Sequence, residues 1–172
     1  MTAPRASSRL FLAVWPDREA IARIVGWRDR QSWPAGVRLT PPESMHATLH
    51  FIGEVPHARV GPIADRLKAV DFDAGRLVPA HPTIWAGGIA ILQAEADAAL
   101  VGLHARLAEV LRTLQLQLDS RPWHPHLTLA RHAHGAALLG LRPAPECAVD
   151  AFTLVESVSG RYDVLRRYPA HH

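Results

Sequence analysis

The sequence predicts an α+β protein, a single domain over residues 1–172 made of two pseudo-symmetric lobes. Three observations predict it. Strand-like and helix-like patterns follow in the order β, α, β, α, β, β, α, β, β, β. A short motif, His46-Ala47-Thr48-Leu49, returns as His126-Leu127-Thr128-Leu129. Each copy follows a helix and a turn containing Trp and Pro, as an internal duplication would leave it. No Gly/Ser linker separates the halves, so the lobes are expected to pack together, each offering one His-x-Thr strand.

The elements follow in order. Arg9 to Trp15 is apolar and reads as a central strand. Pro16 ends it, and Asp17 is a good N-cap for a helix from Arg18 to Gln31. Trp33 to Gly36 turns the chain into a short strand at Val37 to Leu39. The first motif strand is expected over Met45 to Gly53, and a second helix over Ala58 to Val70. Phe72 to Val78 and Pro82 to Trp85 read as separate strand pieces, broken by Pro79 and His81. Gly87-Gly88 turns into a strand at Ile89 to Gln93. Leucines at three- and four-residue spacing predict the longest helix over Ala96 to Leu118. The second motif strand comes next, and His132 to Pro145 reads as a loop or a short helix at Ala136 to Leu139. Val149 to Ser157 and Tyr162 to Arg167 are the last two strands.

Composition narrows the function classes. The chain is 48% apolar and 20% charged, which excludes a disordered protein. The one cysteine, Cys147, closes no disulfide and reads as a structural strand residue, so a reducing cytoplasm is the expected compartment. No apolar run of about 18 residues is present to cross a membrane, and Leu10 to Trp15 is too short for a signal-peptide core. The net charge of +3, carried mostly by arginine, suits a phosphate-bearing partner.

The repeated motif carries the chemistry. In a strand, side chains alternate between faces. His46 and Thr48 then share one face, while Ala47, Leu49 and Phe51 share the other. In the second copy His126 and Thr128 oppose Leu127 and Leu129. Two such His/Thr rows could face each other across a groove. One neutral imidazole would take a proton from a nucleophile, and one charged imidazole would give a proton to a leaving oxygen. That pairing suits in-line displacement at phosphorus, with the threonine hydroxyls bonding to non-bridging oxygens. Gly87-Gly88 lacks the Lys-Ser/Thr of a triphosphate-binding loop, so no nucleotide cofactor is expected.

Taken with their flanks, these motifs resemble the 2H phosphoesterases, and within them the RNA 2′,3′-cyclic phosphodiesterases, historically called 2′-5′ RNA ligases. The likeness lies in Arg9 to Val14, in Met45 to Val55, in the frame from Arg121 to Arg131 around His126-Leu127-Thr128-Leu129, and in Phe152 to Ser157. It implies a bilobal fold with pseudo-twofold symmetry, antiparallel sheets lining a central groove, and helices outside. It implies hydrolysis of a 2′,3′-cyclic phosphate to a 2′-phosphomonoester with no metal and no other cofactor. His46 would be the general acid and His126 the general base. Thr48, Thr128 and Arg131 would hold the phosphate. Partners would be RNA with a cyclic phosphate end, or a small nucleoside cyclic phosphate, bound by a monomer. The reverse reaction, 2′-5′ ligation, and a non-catalytic RNA-binding module on the same scaffold are the alternatives.

Three further residues are candidates for the groove wall. His50 is a departure from the family pattern; period two places it on the face of His46 and Thr48, and a solvated strand-end histidine is the other reading. His124 shares the face of His126 but precedes Pro125, so it is expected to orient the loop. Trp85 could stack on a base, although core packing is the more favoured expectation for one of five tryptophans. Strict alternation puts Arg131 opposite His126, so a bulge or the strand end must redirect it. A zinc site drawn from the eleven histidines finds no cysteine or glutamate-rich partner.

Overall fold

A computed structural model describes residues 6–171; the polar start, Met1 to Arg5, and His172 lie outside the described residues. The fold is α+β with two antiparallel sheets. Its strands are β1 (Ser7–Val14), β2 (Arg38–Leu39), β3 (Ala47–Pro56), β4 (Gly75–Trp85), β5 (Ile89–Ala96), β6 (His126–Arg131), β7 (Cys147–Val149), β8 (Ala151–Val158) and β9 (Arg161–Pro169). Its helices are α1 (Arg18–Asp29), α2 (Val60–Leu67) and α3 (Ala98–Thr113). One sheet has the order β3-β1-β8-β9, the other β2-β6-β5-β4-β7.

The apolar spacing explains the layers. Ile24 of α1, Ile63 and Leu67 of α2, and Leu100, Leu103 and Leu107 of α3 are buried in one cluster with Leu10, Leu12, Leu92, Leu127 and Phe152 of the sheets. The helices therefore cover one face of each sheet. On the other face of the four-stranded sheet lies a smaller cluster of Phe11, Ala13 and Val155, with Trp15 and Tyr162 packed on it.

Capping sets the helix ends. The Asp17 carboxylate accepts from the Ala20 N–H at 2.9 Å and so starts α1. Its other oxygen accepts from the Ala148 N–H at 2.8 Å, tying α1 to β7. Asp97 caps α3 in the same way through the Leu100 N–H. The helix stops at Thr113, five residues short of the pattern's end at Leu118. Gln115 there takes a left-handed φ of 57°. Its N–H bonds to the Arg112 carbonyl and the Leu116 N–H to the Leu111 carbonyl, a Schellman ending that the leucine spacing does not reveal.

Other elements depart from the expected plan. The two pieces expected around Pro79 are one strand, β4, with its register shifted between Pro79 and Pro82. That stretch is tolerated because β7 pairs only with Gly75 to Leu77, and beyond it the outer edge of β4 has no strand partner among the described residues. The segment from Ala136 to Leu139 forms no helix. The strand expected from Val149 is two: β7 belongs to the five-stranded sheet and β8 to the four-stranded one, with the switch at Asp150. Cys147 is fully buried, and burial pushes its thiol up to about 12, so it is an inert packing residue.

Candidate active site

Both motif strands carry the same irregularity, and it decides which side chains share a face. Thr48 pairs with Ala13 and His50 with Leu12, which leaves Leu49 as an extra residue in β3. Thr128 pairs with Ile91 and Ala130 with Ala90, which leaves Leu129 as an extra residue in β6. A one-residue bulge flips the alternation beyond it. The flip carries Arg131 back to the face of His126 and Thr128.

The same flip changes the faces that strict alternation gives to His50 and Phe51. His50 turns to the Leu12 face, where it is only 8% exposed and its Nε2–H donates to the His104 carbonyl at 2.8 Å. Phe51 takes the groove face beside Phe11 and is 60% exposed, so it is not in the core with Ala47 and Leu49. A second bulge, at Ile52 and closed by Gly53 with φ of +81°, restores the alternation.

The two motif histidines are held alike. His46 sits just before β3, after a 3₁₀ turn at Pro42–Ser44, and its Nδ1–H donates to the Ser44 carbonyl at 2.8 Å. His126 opens β6, and its Nδ1–H donates to the His124 carbonyl at 2.8 Å. A carbonyl can only accept, so each neutral ring has its proton on Nδ1. Nε2 is then the nitrogen that gains and loses a proton in both. The His124 backbone carbonyl thus sets the orientation of the His126 ring.

Their surroundings differ. Phe11, Trp15 and Tyr162 surround the His46 ring, with centroids 5.1, 4.9 and 5.1 Å away. Burial pushes the His46 pKa below its usual value, positive charge on His126 pushes it further, and the Ser44 carbonyl offsets part of this. His126 instead pairs with Gln93 in the ladder and has one aromatic neighbour, Trp85, at 4.4 Å. Trp85 is 39% exposed, so the core-packing expectation fails for it. Beside His126 and Thr48 opens a cavity of about 590 Å³ whose wall includes Trp85, Gln93, His124 and the edge of His50. Thr128 lies in β6 next to the bulge and is half-buried. Sequence reasoning missed Trp15, Tyr162 and Gln93, because each reaches a histidine only through sheet pairing. Among the described residues no group of three His, Cys, Asp or Glu is placed to hold a metal ion. No helix among them is long and apolar enough to cross a membrane.

The profile of the 2′-5′ RNA ligase superfamily matches residues 16–161. The chain belongs to this superfamily. The RNA 2′,3′-cyclic phosphodiesterase of Escherichia coli K12 is 29% identical over 93% of this chain and 95% of its own length. That of Thermus thermophilus is 28% identical over 87% and 81%. The crystal structure of E. coli LigT without ligand superposes with a TM-score of 0.79 at 25% identity, covering 98% of this chain and all of that one. The same protein in complex with 3′-AMP gives a TM-score of 0.80 at 25% identity over 96% and 99%.

Proposed function

We propose that the protein hydrolyses the 2′,3′-cyclic phosphate end of RNA to a 2′-phosphomonoester without a metal ion. The observation that carries this reading is the matched pair of Nδ1–carbonyl bonds on His46 and His126. It leaves the Nε2 of each ring to exchange a proton, and the rings are close enough for charge on His126 to act on His46, which supports an in-line displacement between them. In the reaction, neutral His126 takes a proton from water as its oxygen attacks phosphorus. The bond from phosphorus to O3′ breaks, and protonated His46 gives its proton to O3′. Thr48 and Thr128 donate hydroxyl hydrogens to the two non-bridging oxygens. Arg131, which the Leu129 bulge returns to their face, offsets the charge that builds on them. The groove wall at Trp85 suits a nucleoside, since an exposed indole is a stacking surface for a base.

The test is incubation with a nucleoside 2′,3′-cyclic phosphate in excess EDTA. A 2′-phosphate product formed at an undiminished rate is the expected result. A 3′-phosphate product would reverse the regiochemistry, and loss of turnover with the chelator would replace the histidine mechanism by a metal one.

A further inference from the structure

Strand β3 is the outer strand of its sheet, and at Thr48 its free edge meets Trp123. The indole Nε1–H donates to the Thr48 carbonyl at 2.9 Å. The indole also lies flat on His104 of α3, with centroids 4.5 Å apart and planes 8° from parallel. The other face of His104 stacks on His50 at 4.0 Å and 22°. His50 in turn bonds back to the His104 carbonyl. Three rings and two backbone carbonyls thus form one column. It joins α3, the bulge of the first motif and the segment that delivers the second.

Trp123 is the outer end of that column, and it touches both halves of the site. It reaches Thr48 through its side chain. It reaches His126 through the backbone, since the next residue, His124, supplies the carbonyl that orients the His126 ring. The bond falls where β3 is least fixed by its own sheet. A bulged edge strand has lost part of one ladder and has no neighbour on its other side.

On the opposite side the brace is made differently. There β2 pairs with β6, Arg38 with Arg131 and Leu39 with Ala130, and the Thr40 N–H donates to the Leu129 carbonyl at 2.9 Å. The segment leading into the first motif therefore braces the second with a backbone ladder. The segment leading into the second braces the first with an indole N–H.

We infer that Trp123 is a positioning residue, whose N–H, held in plane by the His104–His50 stack, fixes the Thr48 hydroxyl relative to His126. This rests on the hydrolytic reading in that Thr48 serves the phosphate. A phosphate-binding hydroxyl displaced by an ångström loses much of its value in the transition state.

The experiment is a double-mutant cycle on kcat with a nucleoside 2′,3′-cyclic phosphate. Trp123→Phe keeps a ring for the stack and removes the N–H. It is expected to lower kcat about tenfold, with KM changed less than about twofold. In a Thr48→Val background the same change is expected to cost less than about twofold, and in a Thr128→Val background about tenfold again. Equal losses in all three backgrounds would mean general loosening and would overturn the inference. A wild-type kcat for Trp123→Phe would overturn it too. If the unaltered protein turns over no cyclic phosphate, the hydrolytic reading fails, and a crystal structure of Trp123→Phe decides this one. A displaced Thr48 would then support the brace, and an unmoved one would refute it.

Discussion

Phe51 and Arg131 stand at equivalent positions, each five residues past a motif histidine and each turned to the groove face by a one-residue bulge. The two bulges are therefore alike in backbone and are followed by different side chains, a phenylalanine after the first and an arginine after the second. Among the described residues no carboxylate pairs with Arg131. Arg131→Ala should lower kcat/KM about 10- to 100-fold, the worth of one or two charge-assisted hydrogen bonds. Arg131→Lys should restore little of it, because an ammonium cannot bond two oxygens in parallel. Steady-state kinetics that find Arg131→Ala unimpaired would remove the residue from the site.

Replacing either motif histidine should be far more damaging. His46→Ala and His126→Ala are each expected to lose about 10²- to 10⁴-fold in kcat, the usual range for a general acid or base. Far-UV circular dichroism should stay at the wild-type signal, since neither side chain belongs to the main apolar cluster. A variant that is folded and retains near wild-type turnover would disprove the acid/base pair.

The environment of His46 predicts the shape of the pH profile. Burial among Phe11, Trp15 and Tyr162 lowers its pKa from 6.5, so in the free enzyme it gives up its proton on the acid side of that value. As the general acid it must be protonated, so kcat/KM should fall as pH rises through that lowered pKa. The bound phosphate anion favours the charged imidazole, so the same limb in kcat should lie at higher pH. An alkaline limb of kcat/KM above about pH 7 would contradict the assignment of His46 as acid.

The ring column predicts an acid-sensitive fold. Burial lowers His104 from 6.5 to about 4, and the facing charge of His50 adds to this. His50 is lowered in the same direction, by burial first and by the charge of Arg112. In the unfolded chain both titrate near the ordinary value, so below it the unfolded state binds more protons. Their contribution to stability is complete above about pH 6.5 and is lost as pH falls toward 4. Melting temperatures of the wild type should drop over that window, and His104→Phe should flatten part of the drop. Parallel curves for the two proteins would show that the column is not what titrates.

Much of this fold is legible in the residues. Asp17 before a helical pattern, leucines at three and four in α3, and the repeated His-x-Thr-Leu each signal their element locally. The bulges are not legible, because Leu49 and Leu129 are ordinary strand residues and the extra one is counted only against a partner strand. That single slip exchanges the faces of His50 and Phe51, with only the edge of His50 left in the cavity wall. The break at Asp150 is hidden for a similar reason, since alternation continues through it while the chain changes sheets. Arg131 is the instructive exception: for it to join His126 either a bulge or the strand end had to redirect it, and β6 has a bulge.

The lead-in segments cross over, β2 onto the second motif strand and Trp123 onto the first. Braces at both sides oppose a hinge motion between the two halves. Recognition must then come from a mould cast in advance, which spends little ordering entropy when a substrate enters. Such an enzyme gains less from a long RNA than one that closes around its ligand. A lone cyclic nucleotide should already turn over at close to the rate of the polymer, and differences between substrates should show in affinity rather than speed.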